Sequence, residues 1–157
     1  MSRTIKLFLI LSMVLSLALA ACGPTVPEPA PAAEAEEPAG EVALKVTGAV
    51  ASEQAWTEAE VKALDAIDVE STNKDGETST YTGVLLSDLL AAAQPNADAT
   101  TVVFVADDGY TAEITLDELM ACADCIASFR NQGGFSTVLP GYPGNMQVKG
   151  VVEIQVK

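Results

Sequence analysis

The chain has 157 residues, with 22 Asp and Glu against 8 Lys and Arg and no histidine. That length holds one modest domain. The missing histidine excludes an imidazole general base, His-ligated zinc, and Ser-His-Asp or Cys-His catalysis. The net charge of -14 argues against nucleic-acid binding, which needs cations to displace counterions, and against electrostatic attachment to an anionic bilayer.

Arg3 and Lys6 precede an uncharged run, residues 7–21, ending in Leu19-Ala20-Ala21-Cys22-Gly23. The run is too short to span a membrane and has the layout of a signal-peptide core. Its end resembles a bacterial lipobox, which implies cleavage before Cys22 and acylation of that cysteine with palmitate-type chains. Two or three such chains anchor a protein almost permanently. No Arg-Arg pair precedes the apolar core, so the leader reads as a Sec signal. The expected location is extracytoplasmic, lipid-anchored to the cell membrane or outer membrane. Gly23, rather than Asp, after the cysteine leans away from inner-membrane retention in a cell with two membranes. From Cys22 to Glu41 the chain is mostly Pro, Ala and Glu, which cannot bury a core and reads as an extended tether. Glu28, Glu34, Glu36, Glu37 and Glu41, with Arg3 and Lys6, lie before Val42, so the domain from 42 to 157 keeps 17 acidic and 6 basic side chains.

In the domain, residues 42–50 alternate apolar and polar as a half-buried strand does. Thr57-Glu58-Ala59-Glu60 has capping-box spacing and opens a short helix. Residues 66–72 and 77–82 flank the turn residues Asn73-Lys74-Asp75-Gly76, a hairpin. Gly83 then interrupts the chain before an apolar helix that starts at Leu85 and is stopped by Pro95. Residues 100–106 and 111–114 form a second hairpin across Asp107-Asp108-Gly109-Tyr110. Thr115-Leu116-Asp117-Glu118 is a second capping box, with its helix carrying Leu119 and Met120. Short strands follow at 126–129 and 135–139, then a Pro-Gly loop and a last alternating strand at 148–156. The expected class is α+β, mainly β, with short inserted helices.

Chemistry-bearing groups are few. Cys122-Ala123-Asp124-Cys125 follows the helix opened at Thr115, so the helix dipole and Asp124 both disfavour a thiolate. In an oxidising compartment the pair reads first as a local disulfide or two quiet thiols, with redox or metal roles open. A single such pair supplies only two zinc ligands, and Ile126 stands where haem attachment needs histidine. The oxygen clusters at 73–77 and 107–109 lack the EF-hand's terminal Glu and read as hairpin turns, with a weak Ca²⁺ site as the alternative. Tyr110 and Tyr142 sit in glycine-containing loops and are the aromatics expected to face a ligand.

Three strings carry a resemblance: YTGVLLSDLL (81–90), DDGYTAEITLDEL (107–119) and VLPGYPGNMQVKGVVEI (138–154). In this order they resemble the sulfite-oxidase-type molybdopterin-binding domain over essentially all of residues 44–156. The resemblance implies that family's fold. It also implies a pocket near the stretch containing Ser71 and the loop holding Tyr110, here lined by Ser71, Asn73, Tyr110 and Arg130. Catalytic members hold molybdenum through a cysteine on the strand before the Gly-Val-x-Leu helix, and use histidine and arginine on the pterin phosphate. Here that strand stretch, Ile67-Asp68-Val69-Glu70-Ser71-Thr72-Asn73, has no cysteine, and hydroxyl or carboxylate donors there are harder and weaker. Arg130 is the one arginine of the domain, and an acidic pocket would repel phosphate. Cofactor-loaded members are exported folded through Tat, unlike a Sec-type leader. The expectation is a non-catalytic lipoprotein that binds a small ligand or an envelope partner protein, without cofactor, metal or nucleic acid. The alternatives are a molybdopterin-dependent oxidoreductase with an atypical ligand such as Ser71 or Glu70, and a thiol redox protein using Cys122 and Cys125. The rival role for Arg130 is a pairing with a surface acid.

Overall fold

The computed structural model describes residues 40–157. The leader, Cys22 and the tether through residue 39 lie outside the described residues.

Nine strands and three short helices follow in the order β1 (Val42–Gly48), β2 (Gln54–Thr57), α1 (Glu58–Lys62), β3 (Ala66–Thr72), β4 (Thr78–Leu85), α2 (Leu86–Ala93), β5 (Thr101–Ala106), β6 (Thr111–Thr115), α3 (Leu116–Ala121), β7 (Ile126–Phe129), β8 (Phe135–Val138) and β9 (Lys149–Val156). The α+β, strand-dominated class expected from the sequence is the observed one. One mixed sheet runs β2-β1-β9-β8-β7-β4-β3, with the β5–β6 hairpin branching from β9. Strand β9 is the hub. It pairs parallel with β1 and antiparallel with β5 and β8. A register shift between its Val151 and Glu153 pairings lets Val151 join Ile154 and Val156 in one buried cluster with Phe104, Leu44 and Val46.

Local chemistry places the helices. Thr57 caps α1: its hydroxyl accepts from the Glu60 N–H at 3.3 Å and Glu60 accepts back from the Thr57 N–H at 2.7 Å, satisfying two otherwise orphaned donors. Helix α2 buries Leu86, Leu89, Leu90 and Ala93, the i, i+3, i+4, i+7 stripe of an amphipathic helix. It stops at Gln94, in the left-handed conformation with φ 56°, just before Pro95. At α3, Thr115 accepts from the Glu118 N–H at 3.3 Å, and the Glu118 carboxylate meets the Thr115 hydroxyl rather than its backbone.

Two differences from the sequence expectation have plain causes. Strand β2 had no sequence signal: at four residues it is too short to show a period, and it is held by pairing Trp56 with Leu44 on β1. Gly83 does not interrupt the chain; it is an interior residue of β4. A Cβ there would sit 2.3 Å from the Ala127 carbonyl oxygen, so glycine is what lets β4 and β7 close on one another. Their ladder covers only Gly83↔Ser128, Val84↔Ala127 and Leu85↔Ile126. Beyond it the outer half of β4 runs on without β7.

Candidate functional site

Where β4 and β7 part, an open cleft of about 1190 Å³ forms. One wall is the β3–β4 hairpin, contributing Ser71, Asn73, Lys74, Thr80 and Tyr81. The opposite wall is the end of β7 and its turn, with Phe129, Arg130, Asn131 and Gln132. Strand β8 and the Pro-Gly loop supply Thr137, Leu139, Tyr142 and Gln147, and Lys149 enters from the start of β9.

Each wall is fixed by local bonding. Asn73 Oδ1 accepts from the N–H groups of Asp75 and Glu77 at 2.9 and 3.0 Å, an Asx-type turn. It aligns the hairpin that carries Ser71 and Lys74. Glu58 Oε2 accepts from the Gly134 N–H at 3.2 Å, and the Arg130 N–H donates to the Gly134 carbonyl at 3.1 Å. Helix α1 thus props the turn that carries Arg130. The Lys62 side chain first, and the Gly134 N–H second, hold the Glu58 carboxyl below its ordinary value of 4.5. Lys62 also stands 5.9 Å over the Phe129 ring.

The Pro-Gly loop is pinned from inside. Thr137, 1% exposed, donates through Oγ1 to the Met146 carbonyl at 2.8 Å and accepts from the Val148 N–H at 2.7 Å. The Gln147 side chain donates to the Leu139 carbonyl at 2.7 Å and accepts from the Leu139 N–H at 2.9 Å, replacing a strand partner. No buried side-chain donor or acceptor lacks a partner among the described residues.

Of the residues that sequence assigned to the pocket, Ser71, Asn73 and Arg130 meet in this cleft, whereas Tyr110 does not line it. The Tyr110 hydroxyl donates to the Asn145 carbonyl at 2.8 Å, so its part is to tie the β5–β6 turn to the Pro-Gly loop. Tyr142, the other loop aromatic, does line the cleft. The expected acidic pocket is also corrected. Among the described residues no Asp or Glu lines the cleft, and Lys74 and Lys149 stand in it beside Arg130, half of the domain's six basic side chains. Nor does Arg130 pair with a surface acid: among the described residues the one ion pair is Lys62–Glu58. Lys74 was legible only as a turn residue and Lys149 only as a strand residue. Thr137 and Gln147 carried no sequence signal at all.

The Cys122–Cys125 pair lies away from the cleft, at the C-terminal end of α3, with Cys122 as the helix's C-cap. The two are joined in a disulfide with Cα atoms 5.5 Å apart. With Asp124 they form the one close cluster of metal-binding residue types among the described residues, and the sulfurs are spent on each other. The turns at Asn73 and Asp108 use their side-chain oxygens on backbone N–H groups, which is hairpin chemistry.

The family model for the oxidoreductase molybdopterin binding domain matches residues 29–157. The chain belongs to this family. The crystal structure of the sulfane dehydrogenase SoxCD from Paracoccus pantotrophus superposes with a TM-score of 0.62 at 18% identity, over 72% of this chain and 37% of that one. At that identity the likeness concerns the sulfite-oxidase-like fold, and the chain spans little more than a third of that neighbour's length. No curated protein matches in sequence. The donor set of this family member does not fit a molybdenum held by the protein. Among the described residues no Cys, His, Asp or Glu lines the cleft, and the hydroxyls of Ser71, Thr80 and Tyr81 are harder and weaker ligands than thiolate. The cationic half of the cleft does fit an anion.

Proposed function

We propose that this family member is a lipid-anchored extracytoplasmic protein whose domain acts as a non-catalytic binding module, taking a small anionic ligand in the cleft. One observation carries the reading: on a domain of net negative charge, Lys74, Arg130 and Lys149 line a cleft that no carboxylate of the described residues lines. Three cations from three separate elements concentrate positive potential in a concave site, where low-dielectric walls strengthen it. Ser71, Asn73 and Gln147 add neutral donors and acceptors for orientation. Anchoring rests on the leader and Cys22 in the sequence.

The test is titration of the full chain with pyrophosphate, followed by calorimetry and amide shifts. Loss of one charge-assisted hydrogen bond, about 1.5–3 kcal/mol, weakens binding roughly tenfold or more in Arg130→Ala. Unchanged affinity in Arg130→Ala, Lys74→Ala and Lys149→Ala alike would sink the reading. Near-stoichiometric molybdenum in protein purified from its own host would replace it with the oxidoreductase.

A further inference from the structure

The wall of the cleft made by β4 is an open strand edge. The Asn73 N–H donates to the Glu77 carbonyl at 2.9 Å, so by antiparallel alternation the bonded pairs of the hairpin are Ser71↔Ser79 and Val69↔Tyr81. The N–H and C=O groups of Thr78 and Thr80 therefore turn to the other edge of β4, where pairing with β7 begins only at Gly83. Every residue from Thr78 to Thr82 is exposed, and none is a proline or carries a charge. Proline and charge are what keep an exposed edge from pairing, and this edge has neither. A small anion accepts from N–H groups but leaves the carbonyls unmet. An extended peptide satisfies both, at the spacing of the strand itself.

Register sorts the charges between the two faces of the sheet. Residues paired across a ladder share a face, and every second residue of a strand returns to it. The pairs Ser71↔Ser79, Gly83↔Ser128, Ser128↔Ser136 and Ser136↔Lys149 therefore put Ser71, Tyr81, Ser128 and Lys149 on one face. Arg130 follows Ser128 by two residues, with its N–H still bonded to the Gly134 carbonyl. Asp68 and Glu70, opposite Thr82 and Thr80, lie on the reverse face, and neither lines the cleft. A strand added to β4 thus meets cations on one face and carboxylates on the other.

We propose that the cleft takes an extended acidic segment of a partner protein, paired as a strand along Thr78–Thr82. Its carboxylates fall at every second position, on the face of Arg130 and Lys149, with Lys74 at the hairpin end. Arg130 offers a carboxylate two parallel bonds. The intervening positions, on the face of Asp68 and Glu70, carry no acid. This inference rests on the cleft being an anion site and names the anion's class; the experiment separates the two.

Full-length protein is titrated with a blocked peptide as long as Thr78–Thr82 that alternates Glu and Thr, with its Gln-for-Glu counterpart, and with pyrophosphate. Two further peptides carry N-methyl groups on one or the other alternate set of backbone amides, which removes pairing along one edge and keeps the charge. The expected result is that one methylated peptide binds about tenfold more weakly than the parent and the other binds as the parent does. The Gln peptide also loses about tenfold or more. The parent peptide slows hydrogen exchange at the Thr78 and Thr80 amides. Equal affinity of both methylated peptides and the parent, with exchange at Thr78 and Thr80 unchanged, would overturn the inference while the anion cleft stands. No binding of the Glu peptide beside bound pyrophosphate would do the same. Protection of Thr78 and Thr80 by the peptide without any pyrophosphate binding would keep the added strand and end the small-anion reading. A Gln peptide as tight as the Glu peptide would overturn the acidic class of partner.

Discussion

The two hairpins share one turn chemistry and have opposite fates. In β5–β6, Asp108 Oδ1 accepts from the Tyr110 N–H at 2.9 Å; in β3–β4, Asn73 does the same for Asp75. Yet β5–β6 buries Val102, Val103, Phe104, Ala106, Ala112 and Ile114 and docks along β9. The paired part of β3–β4 beyond Gly83 buries only Val69. Turn residues decide that a hairpin forms, and the apolar content of its faces decides whether it becomes core or wall.

The sharpest way to break that contrast is truncation on each hairpin. Phe104→Ala, from a fully buried site, should cost about 3–5 kcal/mol in urea denaturation. Tyr81→Ala, from a side chain 40% exposed, should stay within about 1 kcal/mol. Equal losses would mean that β3–β4 is part of the core after all. Next in size, Gly83→Ala drives a methyl into the Ala127 carbonyl and should cost about 3 kcal/mol. It should also detach the hairpin, loosening the cleft before the rest of the sheet. Without mutation, amide exchange should be faster at Ser79 and Tyr81, which pair with Ser71 and Val69 on β3, than at Val103 and Phe104, because local opening there exposes little apolar surface.

The smallest effect is acid loosening of the Arg130 wall. The Glu58 carboxyl is held below 4.5 by Lys62 and the Gly134 N–H. A depressed folded value stabilises fully above the ordinary one and is lost as pH falls through the folded one. The Gly134 amide should therefore lose protection only below about pH 4.5, with a small change because the pair is solvent-exposed. Protection that is constant down through the acid transition would show that α1 does not prop this turn through Glu58.

Much of the site's scaffold is legible in the order of residues alone. The capping box at Thr57, the N-cap at Thr115, the Asx-Gly turns and the apolar stripe of α2 are contests between residues a few positions apart, and sequence displays them directly. At Thr115, however, the return bond from Glu118 goes to the hydroxyl and the box does not close. Family resemblance puts Ser71, Asn73 and Arg130 in one pocket, and the fold brings them together there. The placement of Tyr110 fails because its hydroxyl finds a carbonyl 35 residues away, a partner that no local pattern announces.

By itself, the sequence determined the order and type of the elements apart from β2, the acidic balance, and the absence of cysteine and histidine where a metal would need them. These follow from residue identity and from periods of 2 and 3.6 residues. Only the tertiary structure decided that Gly83 joins two strands rather than ending one. It alone brought Lys74, Arg130 and Lys149 to one cleft that no carboxylate of the described residues lines. The reason is topological: the cleft exists because the β4–β7 ladder stops after three residue pairs, and where a ladder stops depends on packing between segments far apart in the chain.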